Sequence, residues 1–323
     1  MRHLRLIPDN TRFRFMRVRW IIFPITAALS IISVLAFAFI GPNYGIDFLG
    51  GTVIEIQTKT GPADIGDIRD TLGELNLGDV QVQEFGAPDH VLIRIAQQEG
   101  GDEAQQRAVI LVRDALGDQV DMRRVEVVGP RVSGELARNG TIALLVSLGA
   151  ILIYVWFRFE WQFAVGAIIA TLHDVLLTLG VYVLVPFEFN LSSIAAVLTI
   201  VGFSLNDTVV VYDRVRENLR RYKKMSMEEI LDLSINETLG RTIITGITTL
   251  IALGALFIFG SEPIRSFTFA MLFGLIVGTY STIYIAGPIL IHFKLRAETV
   301  ATPEEIKAKK AAAKAEADAK GKA

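Results

Sequence analysis

An apolar run from Leu191 to Val211 contains two polar residues side by side, Asn206 and Asp207, within the longer stretch Ile200–Arg214. A carboxylate at membrane depth costs kilocalories, so such groups are rare, turned away from lipid, and mark ion or proton paths. A helix that stopped at Leu205 would leave Asp207 in a wet loop, but Thr208–Tyr212 is apolar enough to carry the span past it. A second pair, His173 and Asp174, lies near the middle of the run Trp161–Phe187. Neighbours on a helix point about 100° apart, so these two are not expected to face the same adjoining helix. A lone intramembrane histidine is often a hydrogen-bonded packing residue, whereas a mid-bilayer carboxylate needs a partner, a proton or water.

Arg241 enters the next apolar run, Leu239–Ser261. At about 1.5 Å per residue, Asp207 lies roughly 9 Å above Asp213 at the inner end of its span. Arg241 reaches a comparable depth if its helix begins near Asn236. An acid and a guanidinium at matched depth on consecutive antiparallel helices neutralise each other, and protonating the acid would release the arginine. The chain has no cysteine, which excludes disulfides, thiolate chemistry and cysteine metal sites. Neither His173 nor Asp174 has metal-ligand spacing, and no phosphate-cradling loop or nucleophile elbow is present. The groups fit proton handling without a metal or cofactor; the expectation is a protein that is not an enzyme.

The elements that must hold these groups are membrane spans. Of 323 residues, 51% are hydrophobic, and several apolar runs are too long and uncharged for soluble core helices. Six are expected: Ile21–Ile40, Leu136–Phe157, Trp161–Phe187, Phe189–Tyr212, Leu239–Ser261 and Phe267–Phe293. An even number puts both termini on one side. Arg2, Arg5, Arg12, Arg14, Arg17 and Arg19 against Asp9 make residues 1–20 a basic tail, and Arg214, Arg216, Arg220, Arg221, Lys223 and Lys224 follow the fourth span. Arg158, Lys294 and Arg296 belong to the same side, which the positive-inside rule makes cytoplasmic. The first span lacks a small-residue cleavage site and reads as an uncleaved anchor at 21–40. Basic residues cluster beside spans and the net charge is −2, so there is no reason to expect nucleic acid as a partner.

Between the first two spans, residues 41–133 read as a soluble extracytoplasmic domain. Thr52–Thr58 alternates as a strand, and Pro62–Asn76 has helical spacing with Pro62 near its start. Asp79–Phe85 and His90–Ala96 form a hairpin around the turn Gly86–Asp89. Asp102–Leu116 is helical with Ala108, Leu111, Val112 and Ala115 on its buried face, and Val120–Val128 closes as a strand. The order β-α-β-β-α-β is that of a ferredoxin-like α+β module.

In the five-helix region 134–293, an inner amphipathic loop at 214–238 leads through Ser226–Leu239 to the fifth span. Ser226–Leu239 opens with a capping box (Ser226, Glu229) and reads as an amphipathic helix at the membrane surface. Threonines at 242, 245, 248 and 249, and Gly274, Gly278, Thr279, Ser281 and Thr282, favour close helix packing. Such hydroxyls either line a hydrated path or bond their own backbone; the second is commoner. Residues 294–323 form a low-complexity tail to which no chemistry is assigned.

Several ordered motifs resemble the SecF branch of the bacterial SecD–SecF protein-export family, in the RND transporter superfamily. They are Gly45-Ile46-Asp47-Phe48-Leu49-Gly50-Gly51-Thr52, Val128–Val132, Phe157–Trp161, His173-Asp174, Asn206–Val211 with Asp213-Arg214, Arg241-Thr242, Thr248–Leu250 and Gly278–Tyr284. The match runs from about residue 15 to residue 293. Ser133 stands where the family more often has glycine, and Gly246-Ile247 replaces the usual small pair. The resemblance implies half of an RND-type helix bundle in the bacterial inner membrane. It implies pairing with SecD, action on unfolded preprotein at the SecYEG channel after the ATP-driven motor, and YajC and YidC as further partners beside membrane lipid. It also implies proton coupling at Asp207 and Arg241, with Asn206, Asp174 and His173 beside them. Gly45, Asp47, Gly50 and Gly51 are its structural motif, shaping the start of the outer domain rather than binding a ligand. Two other readings are weaker. A small-molecule exporter of the same superfamily would carry a much larger outer region, and an intramembrane hydrolase using His173 and Asp174 would need a nucleophile or metal set.

Overall fold

The computed structural model describes residues 11–260, 262–293 and 295. Arg2, Arg5 and Asp9 of the basic tail, and Lys294, Arg296 and the tail beyond, lie outside the described residues. In chain order the elements are α1 (Arg19–Phe39), the one-turn α2 (Ile46–Leu49), β1 (Gly51–Thr58), α3 (Ile65–Gly73), β2 (Val80–Phe85), β3 (Ala87–Ile95), α4 (Gly101–Leu116), β4 (Val120–Val128), α5 (Pro130–Arg158), α6 (Trp161–Leu184), α7 (Leu191–Arg221), α8 (Met227–Phe259), α9 (Glu262–Ser281), a π turn (Thr282–Ala286) and α10 (Gly287–His292). Two compact units result. One holds Pro42–Ser147 with Leu184–Ala195, and the other holds the remaining described residues.

The sheet of the first unit has the order β2-β3-β1-β4 with every neighbouring pair antiparallel, the ferredoxin-like arrangement. One face of the sheet and the helices α3 and α4 share a core that includes Ile54, Ile56, Leu72, Val91, Ile93 and Val112. Three details differ from the sequence reading. Helix α3 starts at Ile65 rather than Pro62, because Asp64 caps it, its Oδ1 accepting from Gly66 N at 3.0 Å and Asp67 N at 3.1 Å. The hairpin turns on Gly86 alone (φ 77°), so Ala87–Asp89 already belong to the strand. On α4 the buried face is Gln105, Ala108, Val109, Val112 and Leu116, while Leu111 and Ala115 are exposed. The helix is rotated because Gln105 goes inside, where it donates to Thr52 Oγ1 at 2.7 Å and accepts from Gln98 N at 2.8 Å.

Gly50 and Gly51 have φ of 70° and 115°, and a Cβ on Gly51 would lie 2.5 Å from the carbonyl oxygen of Ile95 in the neighbouring strand. Both the left-handed backbone and the close approach demand glycine. Gly51→Ala is therefore expected to destabilise the domain by more than about 1 kcal/mol, seen as faster proteolysis of residues 42–130. Gly50→Ala, whose Cβ would meet Gln97 and Ser133 side-chain oxygens at 3.2 Å, should have the smaller effect. Unchanged protease resistance in both would count against a shaping role.

Among the described residues six helices, at Phe15–Phe39, Pro130–Arg158, Trp161–Leu184, Leu191–Arg221, Met227–Phe259 and Ile264–His292, are long and apolar enough to cross a membrane. The chain is a polytopic α-helical membrane protein with a ferredoxin-like domain between its first and second spans. In their most apolar stretches α6, α7 and the last span are each 56% buried, against 6% for α1 and α5 and 11% for α8. Helix α7 does not stop at Leu205 but continues to Arg221.

The fifth span differs from expectation, and the last contains an irregularity. The capping box of Ser226 and Glu229 is formed, but the helix it opens is the fifth span itself, continuous over Met227–Phe259. No proline or glycine interrupts Met227–Leu239, and α7 packs alongside: Asn218 Nδ2 donates to Ser234 Oγ (3.0 Å) and Glu237 Oε2 (2.7 Å), and Arg214 pairs with Glu237 at 2.7 Å. Only Tyr222–Ser226 remains as the connection. The last span contains a π turn at Thr282–Ala286, closed by Gly287 N donating to Thr282 O. Pro288, which has no N–H to give the preceding turn, follows directly.

Candidate functional site in the membrane helices

The buried carboxylate of Asp174 sits where α6, α7 and α9 meet. Its Oδ2 accepts from Ser204 Oγ at 2.5 Å and Ser281 Oγ at 2.9 Å, and its Oδ1 is buried without a hydrogen-bond partner. Glycine makes this meeting possible. A Cβ on Gly274 would lie 2.4 Å from Ile200 Cδ1, and one on Gly278 would lie 3.0 Å from Ser204 Cβ. The Gly274–Gly278 spacing is thus used for close contact of α9 with α7.

His173 reaches out of α6 in two directions. Its Nδ1 lies 2.6 Å from Ser30 Oγ on α1, and its Nε2 lies 2.5 Å from the Tyr280 hydroxyl on α9. Ser30 directs its hydroxyl hydrogen to Thr26 O at 3.0 Å. The consistent assignment has Nδ1–H donating to Ser30 and Nε2 accepting from Tyr280. The expectation that His173 and Asp174 would not face the same helix is corrected here. Tyr280 and Ser281 are themselves adjacent and diverge around α9, so each takes one of the two.

Asp207 is only 7% exposed and accepts from Thr242 Oγ1 at 3.2 Å. The depth match between α7 and α8 is as expected, but the contact falls to Thr242 and not to its neighbour. Arg241 is exposed, about 100° around α8 from Thr242, and among the described residues no ion pair joins it to Asp207. Asn206 likewise points outward from the helix that buries Asp207. Next in line, Thr208 and Thr282 hydroxyls lie 2.9 Å apart, and the Tyr212 hydroxyl donates to Ala286 O at 3.0 Å within the π turn. Gly166 leaves room for that hydroxyl, which a Cβ would approach to 2.3 Å.

The hydroxyls divide as chemistry requires. Thr245, Thr248 and Thr249 bond carbonyls of their own helix, Thr242 reaches another helix, and Ser281 and Thr282 reach another helix while also bonding Gly278 O in their own. Tyr280 falls within the Gly278–Tyr284 motif, whereas Ser30 and Ser204 are single hydroxyls in apolar runs and carry no periodic signal. The site therefore consists of two buried carboxylates on adjoining helices, each held by neutral hydroxyls and neither by a cation.

Residues 110–296 match the family described as protein export membrane protein SecD/SecF, C-terminal, and residues 35–62 match the SecD/SecF GG motif. The chain is 46% identical over 295 residues to the protein translocase subunit SecDF of Brucella abortus, covering 91% of this chain and 39% of that one. It is 46% identical over 294 residues to the protein translocase subunit SecF of Rickettsia bellii, covering 90% of this chain and 96% of the other. The crystal structure of SecDF from Thermus thermophilus, described as a translocon-associated membrane protein, is similar with a TM-score of 0.79 and 34% identity. That similarity covers 90% of this chain and 40% of the Thermus chain. Matched by both profiles and by a relative of its own length, the chain belongs to the SecD/SecF family of protein export membrane proteins.

Proposed function

We propose that this protein is the SecF-like subunit of a bacterial Sec export machinery, using the proton-motive force together with SecD to promote preprotein translocation through SecYEG. The observation that carries the reading is Asp207, buried in an unbroken apolar span against a hydroxyl rather than a cation. Asp207 binds and releases the proton. Arg241 is its partner in the charged state, Asn206 flanks it, and Asp174 and His173 are further proton-coupling residues. One proton moving through 100 mV releases about 2.3 kcal/mol, enough to bias a conformational cycle without a cofactor. The relatives are named as translocase subunits, which favours transport over catalysis and over small-molecule export.

In this reading the chain lies in the inner membrane with both termini cytoplasmic and residues 41–133 outside. It pairs with SecD as a SecDF complex and works beside SecYEG, with YajC and YidC as further neighbours and unfolded preprotein as substrate. Support for SecD comes from SecDF relatives in which a region like this chain makes up 39% of a longer protein. Two measurements test it. Purification in mild detergent should bring down a SecD-like protein identifiable by mass spectrometry. Because the chain has no cysteine, single cysteines at Gln98 and Lys223 can be labelled without background, and they should react from opposite faces of the membrane. Reaction of both from one face would refute the topology.

A further inference from the structure

The fourth span ends in cations that the fold leaves without acidic partners. Beyond Tyr212, α7 carries Asp213, Arg216, Glu217 and Arg220 on one face, at spacings of three and four residues. Together with Arg221 they line an open cleft of 490 Å³. Arg216 forms its wall, held by Glu160 Oε1 at 3.2 Å and Asp213 Oδ1 at 3.8 Å, and Asp213 Oδ2 in turn accepts from Arg158 at 3.4 Å. The carboxylates around the cleft are engaged as well. Glu217 and Glu237 pair with Arg214 at 2.6 and 2.7 Å, Glu228 pairs with Arg19 at 2.5 Å, and Glu229 accepts from Ser226 in the capping box. By contrast Arg220, Arg221, Lys223 and Lys224 are exposed, and among the described residues none of them joins an ion pair. Arg221 lies over the ring of Tyr222, 5.3 Å from its centroid. All of these residues belong to one compact unit.

Residues 220–224 hold four cations and no acid, and like charges four apart on a helix, as Arg216 and Arg220 are, destabilise it. The dipole at the helix C-terminus offsets part of this repulsion. An anion in the cleft offsets the rest, and the level of the cleft indicates which anion. The apolar run of α7 closes at Tyr212, and Arg216 and Arg220 follow it by about 6 and 12 Å along the axis. The headgroup layer occupies roughly 5–8 Å beyond the hydrocarbon edge. Arginine stems lie along apolar surface with the charged end in the polar layer, so both side chains reach it. The turn that supplies Arg158 and Glu160 is flanked by exposed Phe157 and Trp161, and the Trp161 ring meets Phe293 edge-on at 5.1 Å. Exposed tryptophan beside a span belongs to the headgroup level. Clustered lysines and arginines at that level recognise acidic lipid headgroups. Arginine grips a phosphodiester through two parallel N–H donors, and lysine attracts it as a point charge.

We propose that the cleft at the end of α7 binds the headgroup of an acidic phospholipid, with Arg220, Arg221, Lys223 and Lys224 as its ligands. The site is independent of the reading of Asp207 as the proton carrier. The full chain, purified in neutral detergent, is offered mixed micelles of phosphatidylglycerol and phosphatidylcholine in equal amounts, and the lipid retained on the folded protein is counted by native mass spectrometry. Phosphatidylglycerol should be retained in preference, and the preference should fall as ionic strength rises. Each basic side chain near an acidic surface is worth about a fivefold gain, so Arg220→Gln with Arg221→Gln should cut the preference about thirtyfold. Lys223→Gln with Lys224→Gln, in the connection between α7 and α8, should cut it to a similar degree. Thermal midpoints in phosphatidylcholine alone should match the parent for both pairs. Arg131→Gln, whose arginine is exposed at the start of α5 and pairs with Glu135, should leave the preference unchanged.

Equal retention of the two lipids by the parent would overturn the site and leave an acidic polypeptide as the occupant of the cleft. Parental preference in both glutamine pairs would overturn it too. So would an equal loss in Arg131→Gln, because the preference would then belong to surface charge at large. Displacement of phosphatidylglycerol by millimolar inorganic phosphate would assign the cleft to a free anion instead of a lipid. If the arginine pair lowers the thermal midpoint in phosphatidylcholine, the lysine pair, which lies outside both helices, decides the matter alone.

Discussion

Asp207→Asn is expected to fold, to assemble with its partner and to lose the gradient-dependent part of export. Asparagine keeps the size of the side chain and an oxygen that can accept from Thr242, so the α7–α8 contact at 3.2 Å survives. What it cannot do is titrate. A proton crossing 100 mV biases an equilibrium by about fifty-fold, and a variant that carries none forfeits that bias. The measurement is export into inverted vesicles with and without a proton gradient, after expression and assembly are confirmed. Arg241→Lys keeps charge at the same depth but loses the planar fork, and should retain part of the stimulation where Arg241→Ala retains none. Full gradient dependence in Asp207→Asn would take Asp207 out of the mechanism and leave Asp174 as the carrier.

The second large effect concerns stability. Asp174→Ala removes the acceptor that Ser204 and Ser281 share and opens a void among α6, α7 and α9. Side-chain hydrogen bonds between membrane helices contribute about 0.6 kcal/mol each on average and up to about 1.7. Two lost bonds and the cavity together should lower the thermal midpoint in detergent by several degrees. Asp174→Asn preserves an acceptor and the volume, and should melt close to the parent. An alanine variant as stable as the parent would show that the three helices are held by their glycine-mediated contacts alone. Comparing the asparagine variants at 174 and 207 for gradient dependence then separates a carboxylate that binds helices from one that carries protons.

The fold was legible where periodicity is strong. All four strands and all six spans follow from alternation or from apolar length, and the alternation of Val120–Val128 matches the limits of β4. The misreadings have specific causes. Gln105 is a polar residue turned inward, so a hydrophobicity pattern rotates α4 by a position or more. The inner amphipathic segment and the fifth span are each recognisable alone, and no local signal says that they join. At the site, depth was legible because rise per residue is fixed, but azimuth was not. Thr242 and Arg241 differ by about 100° around α8, and that angle decides which of them meets Asp207. The hydroxyl partners of His173 and Asp174 depend on which helices adjoin, which only tertiary packing sets.

The π turn at Thr282–Ala286 holds one residue more than an α turn would. It is in effect an insertion that the helix has absorbed without breaking, and it divides the last span into parts with separate bookkeeping of register. Tyr280 and Ser281, upstream of it, face His173 and Asp174. Ala286, within it, offers its carbonyl to Tyr212. Deleting a single residue from the turn would let the helix close as ordinary α. Everything from Gly287 onward would swing by about 100° and draw back by about 1.5 Å, while the residues facing His173 and Asp174 stayed where they are. The end of the chain's last span can therefore change its phase, over evolution or within one molecule, independently of the part that holds the buried carboxylate.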